Sequence, residues 1–531
     1  MKPIALVSVE QMRAIEREGD AGGVSYAEMM ERAGKGVAKA ILKFPALRGA
    51  SKVLGLIGSG NNGGDALVAL EHLALAGWKG RAYLVRPRPN DDVHLQRVKT
   101  VGVEVADAAG DTNFRLLDEW LAECEVLLDG VLGTGIQLPL RADVERVLAH
   151  VSAAHPRPVV VAVDCPSGVD CDSGIASPVT IPADLTVCMD AVKAGLLRFP
   201  AAELTGQLAV VPLGLPDDLP AFQKVHDFIP TGQVVKNWLP RRPAHAHKGT
   251  FGTVLGIAGS EDYIGAAALA AEAAYRSGAG LVRMAVIPTV RNALAGALPE
   301  VTWLTLPQQG SGFDAAADAV VLGRLERVTA LLVGPGLGVA DGTAEFIRRL
   351  LEHKNQLPPL VLDADGLRLT AKIENWPQHL PPLSVLTPHP GEMSALTGLT
   401  TAEIQADRIG TARRFAQQWG HVLILKGAFS VIASPDGTVY HIPVASAALA
   451  RAGSGDVLAG LIAGFMAQGI AAFPAAVAGA YLHALAGLEA ERRMGQSASV
   501  LAGDILRAVP EVLTRVLKED NWLQPVWVIA E

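Results

Sequence analysis

The chain reads as α/β, two doubly wound parallel sheets in series. Three observations predict it. Short apolar runs alternate with stretches of helical spacing along most of the length. Half of the residues are hydrophobic but only 5% are aromatic, so the apolar mass is Ala, Val and Leu, the usual filling of helices and buried parallel strands. The 55 glycines are spread along the chain and mark tight strand-to-helix turns, not a collagen-like or disordered tract.

The elements follow in order. Val9–Lys43 reads as two helices broken at Asp20–Val24. Strands are expected at Lys52–Ile57, Arg81–Val85, Val126–Asp129, Val159–Asp164, Leu185–Met189 and Leu208–Val211, with helical spacing between them, as in Asp65–Ala76. Around Pro212–Pro243 the pattern dissolves into Pro-rich, irregular sequence. Strand signals resume at Thr253–Ile257, Leu281–Val286, Val301–Leu306, Ala330–Val333, Leu360–Asp363, Ser384–Leu386 and Val422–Leu425. Ser430–Ala433 and Val439–Ile442 form a hairpin-like pair that turns through SPDG. The length of 531 residues would allow three or four average domains. The pattern favours two large ones, 1–215 and 235–531, with a linker at 216–234.

Composition narrows the function classes. Against 54 Asp+Glu there are 46 Lys+Arg, a net charge of −8, which argues against a nucleic-acid binder. Val457–Leu488 carries no Asp, Glu, Lys or Arg and could cross a bilayer by length alone. It is rich in Ala and Gly, is broken by Pro474 and holds Gln468 and His483, so buried helices of a protein with no membrane role are expected. Cys124, Cys165, Cys171 and Cys188 form no CxxC pair. A reducing cytoplasm is the simple reading, with the cysteines structural. The N-terminus has neither a signal nor a transit pattern. A homo-oligomer is compatible with this composition, because buried interfaces and buried cores look alike in it.

The first chemical constellation is GSGNNGGD, Gly58–Asp65, between a strand and a helix. Gly58, Gly60 and Gly63 satisfy G-x-G-x-x-G, and such glycines let backbone N–H groups approach a phosphate at a helix N-terminus. The acid expected at the end of the next strand is missing; Arg86 and Arg88 stand there and suit a 2′-phosphate. Two further strand ends are polar. LLDGVLGTG carries Asp129 and then Gly133–Gly135, and VVAVDCPSG carries Asp164 and Ser167. In open parallel sheets ligands bind at such carboxyl ends.

NNGGD, LLDGVLGTG and VDCPSGVD in this order resemble the NAD(P)H-hydrate epimerase domain, over residues 1–215. The resemblance implies a Rossmann-like three-layer sandwich. It implies that Asn61, Asn62, Gly63, Gly64 and Asp65, with Gly133, Thr134, Gly135, Ile136, Gln137, Leu138 and Pro139, cradle the hydrated dinucleotide, and that Asp164 contacts it. It implies a potassium ion held by Asn62, Asp129 and Ser167, with Asp129 also placed for proton chemistry. Ala66 departs from the family's usual Gly and would narrow the turn.

The second constellation is ALARAGSGDVLAG, Ala447–Gly460, before a long helix. Backbone N–H groups of such a loop can hold a transferring phosphoryl group while Asp456 takes the proton of the attacking hydroxyl. The Lys–Ser/Thr of a P-loop is absent. Around it stand HKGTFGTVLGIAGS, GAAALAAEAAYRSGAGLV, VGPGLG, VLDADGL, LTPHPGEM and VLILKGAFSVI. His389 lies on a rigid turn between two prolines and reads as a ligand contact, and Asp363 and Asp365 close a strand. The set resembles the ribokinase-like superfamily, and within it the ADP/ATP-dependent NAD(P)H-hydrate dehydratase, over residues 235–525.

That resemblance implies hydrate binding by Ala266, Gly336, His389 and Asp456, with Asp456 catalytic. It implies nucleotide binding by Lys426, Gly427, Ala428, Phe429, Ser430 and Gly455, with Mg²⁺ neutralising the phosphates of ADP or ATP, and ADP as the favoured donor. Ser446 stands where the family commonly has Asn, and Arg451 where it has Thr. The expected function is repair of hydrated NADH and NADPH, with the hydrates and ADP or ATP as small-molecule partners. Three rival readings are a ribokinase-like small-molecule kinase with a regulatory N-terminal domain, an NADP-dependent oxidoreductase resting on Gly58, Gly60, Gly63 and Arg86, and a nucleotide-binding sensor without turnover.

Overall fold

A computed structural model of the chain describes residues 2–518 and 525–529. It divides into two compact units, Ile4–Val225 with Pro525–Glu531, and Met1–Pro3 with His226–Gln524.

The first unit is built on a fully parallel sheet in the order Val526–Val528, Gln207–Val211, Leu185–Met189, Val159–Val163, Val126–Gly130, Lys52–Ile57, Lys79–Leu84, Glu104–Asp107. Central strands such as Val126–Gly130 are buried along their length, as expected where helices cover both faces. Strand order reverses between Lys52–Ile57 and Val126–Gly130. That is the topological switch point, where loops from neighbouring strands part and open a crevice. The helix Asn61–Leu75 leaves one side of it. The expected break near Asp20–Val24 separates the helices Val9–Ala21 and Tyr26–Lys43. Ser8 with Gln11, and Ser25 with Glu28, form capping boxes that start them.

Several elements escaped the reading of local pattern. Glu104–Asp107 is a polar edge strand, and its charges hide it from an apolar-run criterion while discouraging edge pairing. Ile4–Val7 pairs in parallel with Val192–Lys193. Val526–Val528 pairs in parallel with Leu208–Val210, so the end of the chain supplies an edge strand to the first unit. Residues 216–234, expected as linker, hold a helical turn at Pro220–Gln223, a strand at Asp227–Ile229 and the start of the helix Gly232–Trp238. Of the expected range 235–531, residues 519–524 and 530–531 lie outside the described residues.

In the second unit the sheet runs Thr302–Thr305, Leu281–Val286, Thr253–Ile257, Ala330–Val333, Leu360–Leu362, Val385–Leu386, Val422–Leu425, all parallel. It continues through the antiparallel strands Val431–Ala433 and Val439–His441, and Asp227–Ile229 pairs in parallel with the last. The apolar stretch Val457–Leu488 falls into two helices, Ser454–Ala467 and Ala472–Met494. The break lies at 468–471, not at Pro474. Pro474 sits in the first turn of the second helix, where a missing N–H costs little. Among the described residues no helix is long and apolar enough to cross a membrane.

Candidate active sites

In the first unit three strand ends meet at the switch point. Gly58–Gly60 leads into the helix Asn61–Leu75, with Gly60 at its N-cap. Asn61–Asp65 therefore occupy the first helical turns, not a free loop. The glycines are set by backbone packing. A methyl at Gly58 would sit 1.9 Å from the Val131 carbonyl oxygen, and one at Gly63 would sit 2.1 Å from that of Gly58. The phosphate-motif glycines thus let strand, turn and helix close on one another.

Asp129 ends the strand Val126–Gly130 and is 0% exposed. Ser167 donates to it through its backbone N–H at 2.8 Å and its hydroxyl at 2.5 Å, and the Val131 N–H donates at 3.3 Å. The Asn62 side-chain amide donates to the Leu132 carbonyl at 2.9 Å, and the Leu132 N–H donates to the Ser167 hydroxyl at 2.8 Å. Asn62, Asp129 and Ser167 are therefore drawn together around one peptide. Burial raises the Asp129 carboxyl, and the hydrogen bonds from Ser167 and Val131 oppose that rise. No basic side chain contributes. An oxygen-only donor set around a buried carboxylate fits a hard monovalent cation, which would supply the missing charge.

Gly133 lies against the Asn62 side chain, and Gly135 lies below Arg13 of the first helix. Gly133–Pro139 form the loop after this strand, with Leu138 exposed. Asp164 ends the next strand in the left-handed region, φ 64, unusual for a non-glycine residue. It accepts from the Met189 N–H at 3.2 Å and is ion-paired with Lys193. Lys193 is 1% exposed. Burial opposes its charge, but Asp164 together with the Cys188 and Cys171 sulfurs outweighs burial and holds the ammonium above its ordinary value. Asp65 is pushed well above the carboxylate range by burial, with Asp164 and Glu16 adding to the shift. The sequence reading missed Lys193, Glu16 and Arg13. The helical position of Glu16 and Arg13 carries no sign that they reach these strand ends.

The two arginines set aside for a 2′-phosphate are otherwise engaged. Arg88 donates to the carbonyls of Gly58 at 2.7 Å and Gly60 at 3.0 Å and pairs with Asp92. Arg86 pairs with Asp143 at 3.0 Å. Arg88 is a brace for the glycine turn, which corrects the dinucleotide oxidoreductase reading.

In the second unit the glycine loop Gly334–Gly338 follows the strand Ala330–Val333 and touches the next strand end. Gly334 has φ +133, and a methyl there would meet the Asp363 carbonyl oxygen at 1.7 Å. Gly334→Ala is expected to cost about 3 kcal/mol or more through backbone strain and displacement of Asp363. Urea unfolding and the dehydration rate check it. Gly336, φ +62, lies against Tyr263 and Ala266.

Asp363 is 1% exposed. It accepts from Thr387 Oγ1 at 2.7 Å and from Lys426 Nζ at 2.7 Å, while Glu392 stands 3.6 Å from the same ammonium. Asp365 accepts from the Gly338 N–H at 2.9 Å. His389 caps the helix Pro390–Thr397, its Nδ1 accepting from Gly391 at 3.0 Å and Glu392 at 3.3 Å, while its ring stays exposed. Lys426–Ser430 turns tightly, with Ser430 Oγ donating to the Gly427 carbonyl at 2.9 Å and Phe429 at φ 53. Beneath it Arg408, missed by the sequence reading, donates to the Leu425 carbonyl at 2.9 Å. Burial pushes its guanidinium down to about 10.

Gly453, φ +88, N-caps the helix Ser454–Ala467, so Gly455 and Asp456 lie in its first turn. A methyl at Gly455 would sit 3.4 Å from Lys426 Nζ and 3.8 Å from Asp363 Oδ2. The loops of four strands and one helix N-terminus thus converge. Burial and the charge of Asp363 push Asp456 up to about 7, against the pull of Lys426. A carboxylate near neutrality beside a helix N-terminus and an ammonium can exchange a proton with a hydroxyl while the backbone holds an anion. Among the described residues no three His, Cys, Asp or Glu side chains gather into a metal site. Mg²⁺ usually binds through one or two carboxylates together with nucleotide phosphates, and Asp363 and Asp456 stand at this site.

Comparison with known proteins agrees with this geometry. Residues 26–195 match the family described as YjeF-related protein N-terminus, and residues 254–511 match NAD(P)H-hydrate dehydratase. The bifunctional NAD(P)H-hydrate repair enzyme of Moorella thermoacetica is 39% identical over 92% of this chain and 93% of its own. The chain belongs to the bifunctional NAD(P)H-hydrate repair enzyme family. The repair enzyme of Escherichia coli is 32% identical over 96% of this chain and 94% of its own. Among solved structures, the ADP/ATP-dependent NAD(P)H-hydrate dehydratase of Bacillus subtilis, co-crystallized with ATP/Mg²⁺, is 32% identical and covers 54% of this chain and 97% of its own, with a TM-score of 0.45.

The likeness to repair enzymes runs through both units, so the reading of the first unit as the regulator of a kinase is set aside. This repair-enzyme chain accommodates its departures locally. The Ala66 methyl faces Gly130, where a side-chain carbon would come within 2.4 Å of it, so the glycine makes the room. Ser446 donates to Glu491 at 2.6 Å and caps the turn Ala447–Leu449. Arg451 is tied to the Ala498 carbonyl.

Proposed function

We propose that the chain restores hydrated NADH and NADPH in two reactions. The first unit interconverts the R and S forms at C6 of the nicotinamide ring. The second consumes the S form with ADP and returns NAD(P)H, AMP and phosphate. Asn61–Asp65, Gly133–Pro139 and Asp164 would bind the hydrate at the first site, and Asn62, Asp129 and Ser167 would hold K⁺. At the second site Ala266, Gly336 and His389 would hold the S form, and Lys426–Ser430 with Gly455 the nucleotide. Mg²⁺ bound with the nucleotide would neutralise phosphate charge.

Asp456 takes the proton of the C6 hydroxyl as that oxygen attacks the terminal phosphoryl group. AMP leaves, the C6–O bond then releases phosphate, and loss of a proton from C5 restores the C5–C6 double bond. Hydroxide is a poor leaving group and phosphate a good one, which gives the nucleotide its use. The observation that carries the reading is Asp456 itself, poised at about 7 in the first turn of a helix beside Lys426.

The test is incubation with mixed NADH-hydrate epimers and ADP or ATP, following absorbance at the reduced nicotinamide band. Recovery is expected in two phases, the S form first and the R form after epimerisation. No recovery with either nucleotide overturns the reading, and a stable phosphorylated product would mark a kinase. Asp129→Ala is expected to slow only the second phase.

A further inference from the structure

We propose that Arg408 is a positioning residue of the second site. From beneath the loop Lys426–Ser430 it orients the loop's peptides, and the nucleotide phosphates supply the counter-charge that the chain withholds from it. The proposal rests on the dehydratase reading of the second unit.

Arg408 opens the helix Arg408–Trp419, whose cap Asp407 is spent on the Gly410 N–H at 2.9 Å. That helix leads into the strand Val422–Leu425, and the loop follows the strand. The guanidinium reaches back under the loop. Its Nη2 donates to the Leu425 carbonyl at 2.9 Å and to the Lys426 carbonyl at 3.3 Å, and its Nη1 donates to Gln405 Oε1 at 3.0 Å. Gly427, φ +149, makes the approach possible. A methyl there would sit 3.0 Å from Nη2, 3.1 Å from Nη1 and 3.2 Å from Cζ.

In a trans peptide the C=O and N–H point opposite ways, and both peptides here are trans. The Leu425 carbonyl, turned to Arg408, sends the Lys426 N–H away from it, onto the Pro388 carbonyl at 2.9 Å. The Lys426 carbonyl, turned the same way, sends the Gly427 N–H away as well. That N–H finds only the Ser430 hydroxyl at 3.3 Å, a long bond that a phosphate oxygen can replace.

Charge points the same way. The partners of Arg408 are two carbonyls and a carboxamide, all neutral. Burial pushes the guanidinium down, and no carboxylate offsets that. A cation withdrawn from water without a counter-charge is costly. The other cation of the loop is already matched, since Lys426 Nζ lies 2.7 Å from Asp363 and 3.6 Å from Glu392. The unmatched positive charge under the loop is therefore Arg408, and an anion seated above the loop relieves it.

The test uses the full chain. ADP and adenosine are titrated by calorimetry, and the S phase of NADH-hydrate consumption is followed at varied ADP. Arg408→Gln keeps a donor for the carbonyls and loses the charge. Its ADP affinity is expected to fall at least about tenfold, with the half-saturating ADP concentration rising to match. Adenosine affinity, the half-saturating S-hydrate concentration and the rate at saturating ADP are expected to stay within about threefold of wild type, which also reports an intact second unit. Arg408→Lys keeps the charge without the fork and should bind ADP more tightly than Arg408→Gln. ADP binding within about threefold of wild type in Arg408→Gln overturns the proposal. So does adenosine binding that weakens as much as ADP binding, or Arg408→Lys binding ADP no better than Arg408→Gln. A wild-type chain that neither binds ADP nor recovers absorbance with it overturns the dehydratase reading itself, and the proposal with it.

Discussion

Asp456→Asn is expected to remove nucleotide-dependent dehydration, by about 10³-fold or more, while R/S interconversion continues. Asn keeps the shape of the side chain but cannot take the hydroxyl proton, and a positioned base contributes roughly 10²–10⁴-fold. The same carboxyl sets a pH dependence. Only the ionised form acts as a base, and Asp456 stands at about 7 in the unliganded protein. kcat/KM for dehydration should therefore fall about tenfold per pH unit below that value and level off above it.

The same shift has a consequence for stability. The folded state holds the Asp456 proton up to about 7, while the unfolded chain releases it near the ordinary 3.8. Wild-type stability from this group is thus present at low pH and is lost as pH rises between those values. Asp456→Asn should melt higher than wild type at pH 8, by a margin that shrinks towards pH 4. Calorimetry at the two pH values checks this. Equal margins would mean that Asp456 is not proton-rich in the fold.

Asp164→Ala is the second large effect. It leaves the Lys193 ammonium, 1% exposed, without its ion-pair partner. Removing one member of a buried pair costs about 3–5 kcal/mol, because the remaining charge has lost its compensation. For a unit of this size the loss is roughly 10 °C in melting temperature. The double variant with Lys193→Met removes the stranded charge and should recover a large part of the loss. A double variant no more stable than Asp164→Ala would show that the pair does not govern stability here. Epimerisation should fall in both, since Asp164 is among the residues proposed to bind the hydrate.

These two sites were legible in the sequence to different depths. Asp456 was found directly, because a glycine pair before an apolar helix pattern is a local signal and its chemistry is local as well. The strand ends carrying Asp129, Asp164 and Asp363 were visible for the same reason, since apolar runs of parallel strands stop where the loops begin. Arg88 was misread. Its sequence position fits a phosphate contact, but the fold spends its guanidinium on the carbonyls of Gly58 and Gly60. Glu104–Asp107 was missed because a polar edge strand has no apolar run to detect.

The sequence by itself determined the α/β alternation, the glycine turns and the candidate acids, because hydrophobic period and turn chemistry act over a few residues. Tertiary structure alone decided which charges meet. Lys193 finds Asp164 29 residues away in sequence, and Glu16 and Asp65, on two separate helices, feel the charge of that ammonium. The switch point between Lys52–Ile57 and Val126–Gly130, and the closing strand Val526–Val528, were also decided there. The physical reason is that strand order is a non-local choice, made by burying whole faces. It brings together carboxylates and an ammonium whose local sequence holds no record of one another.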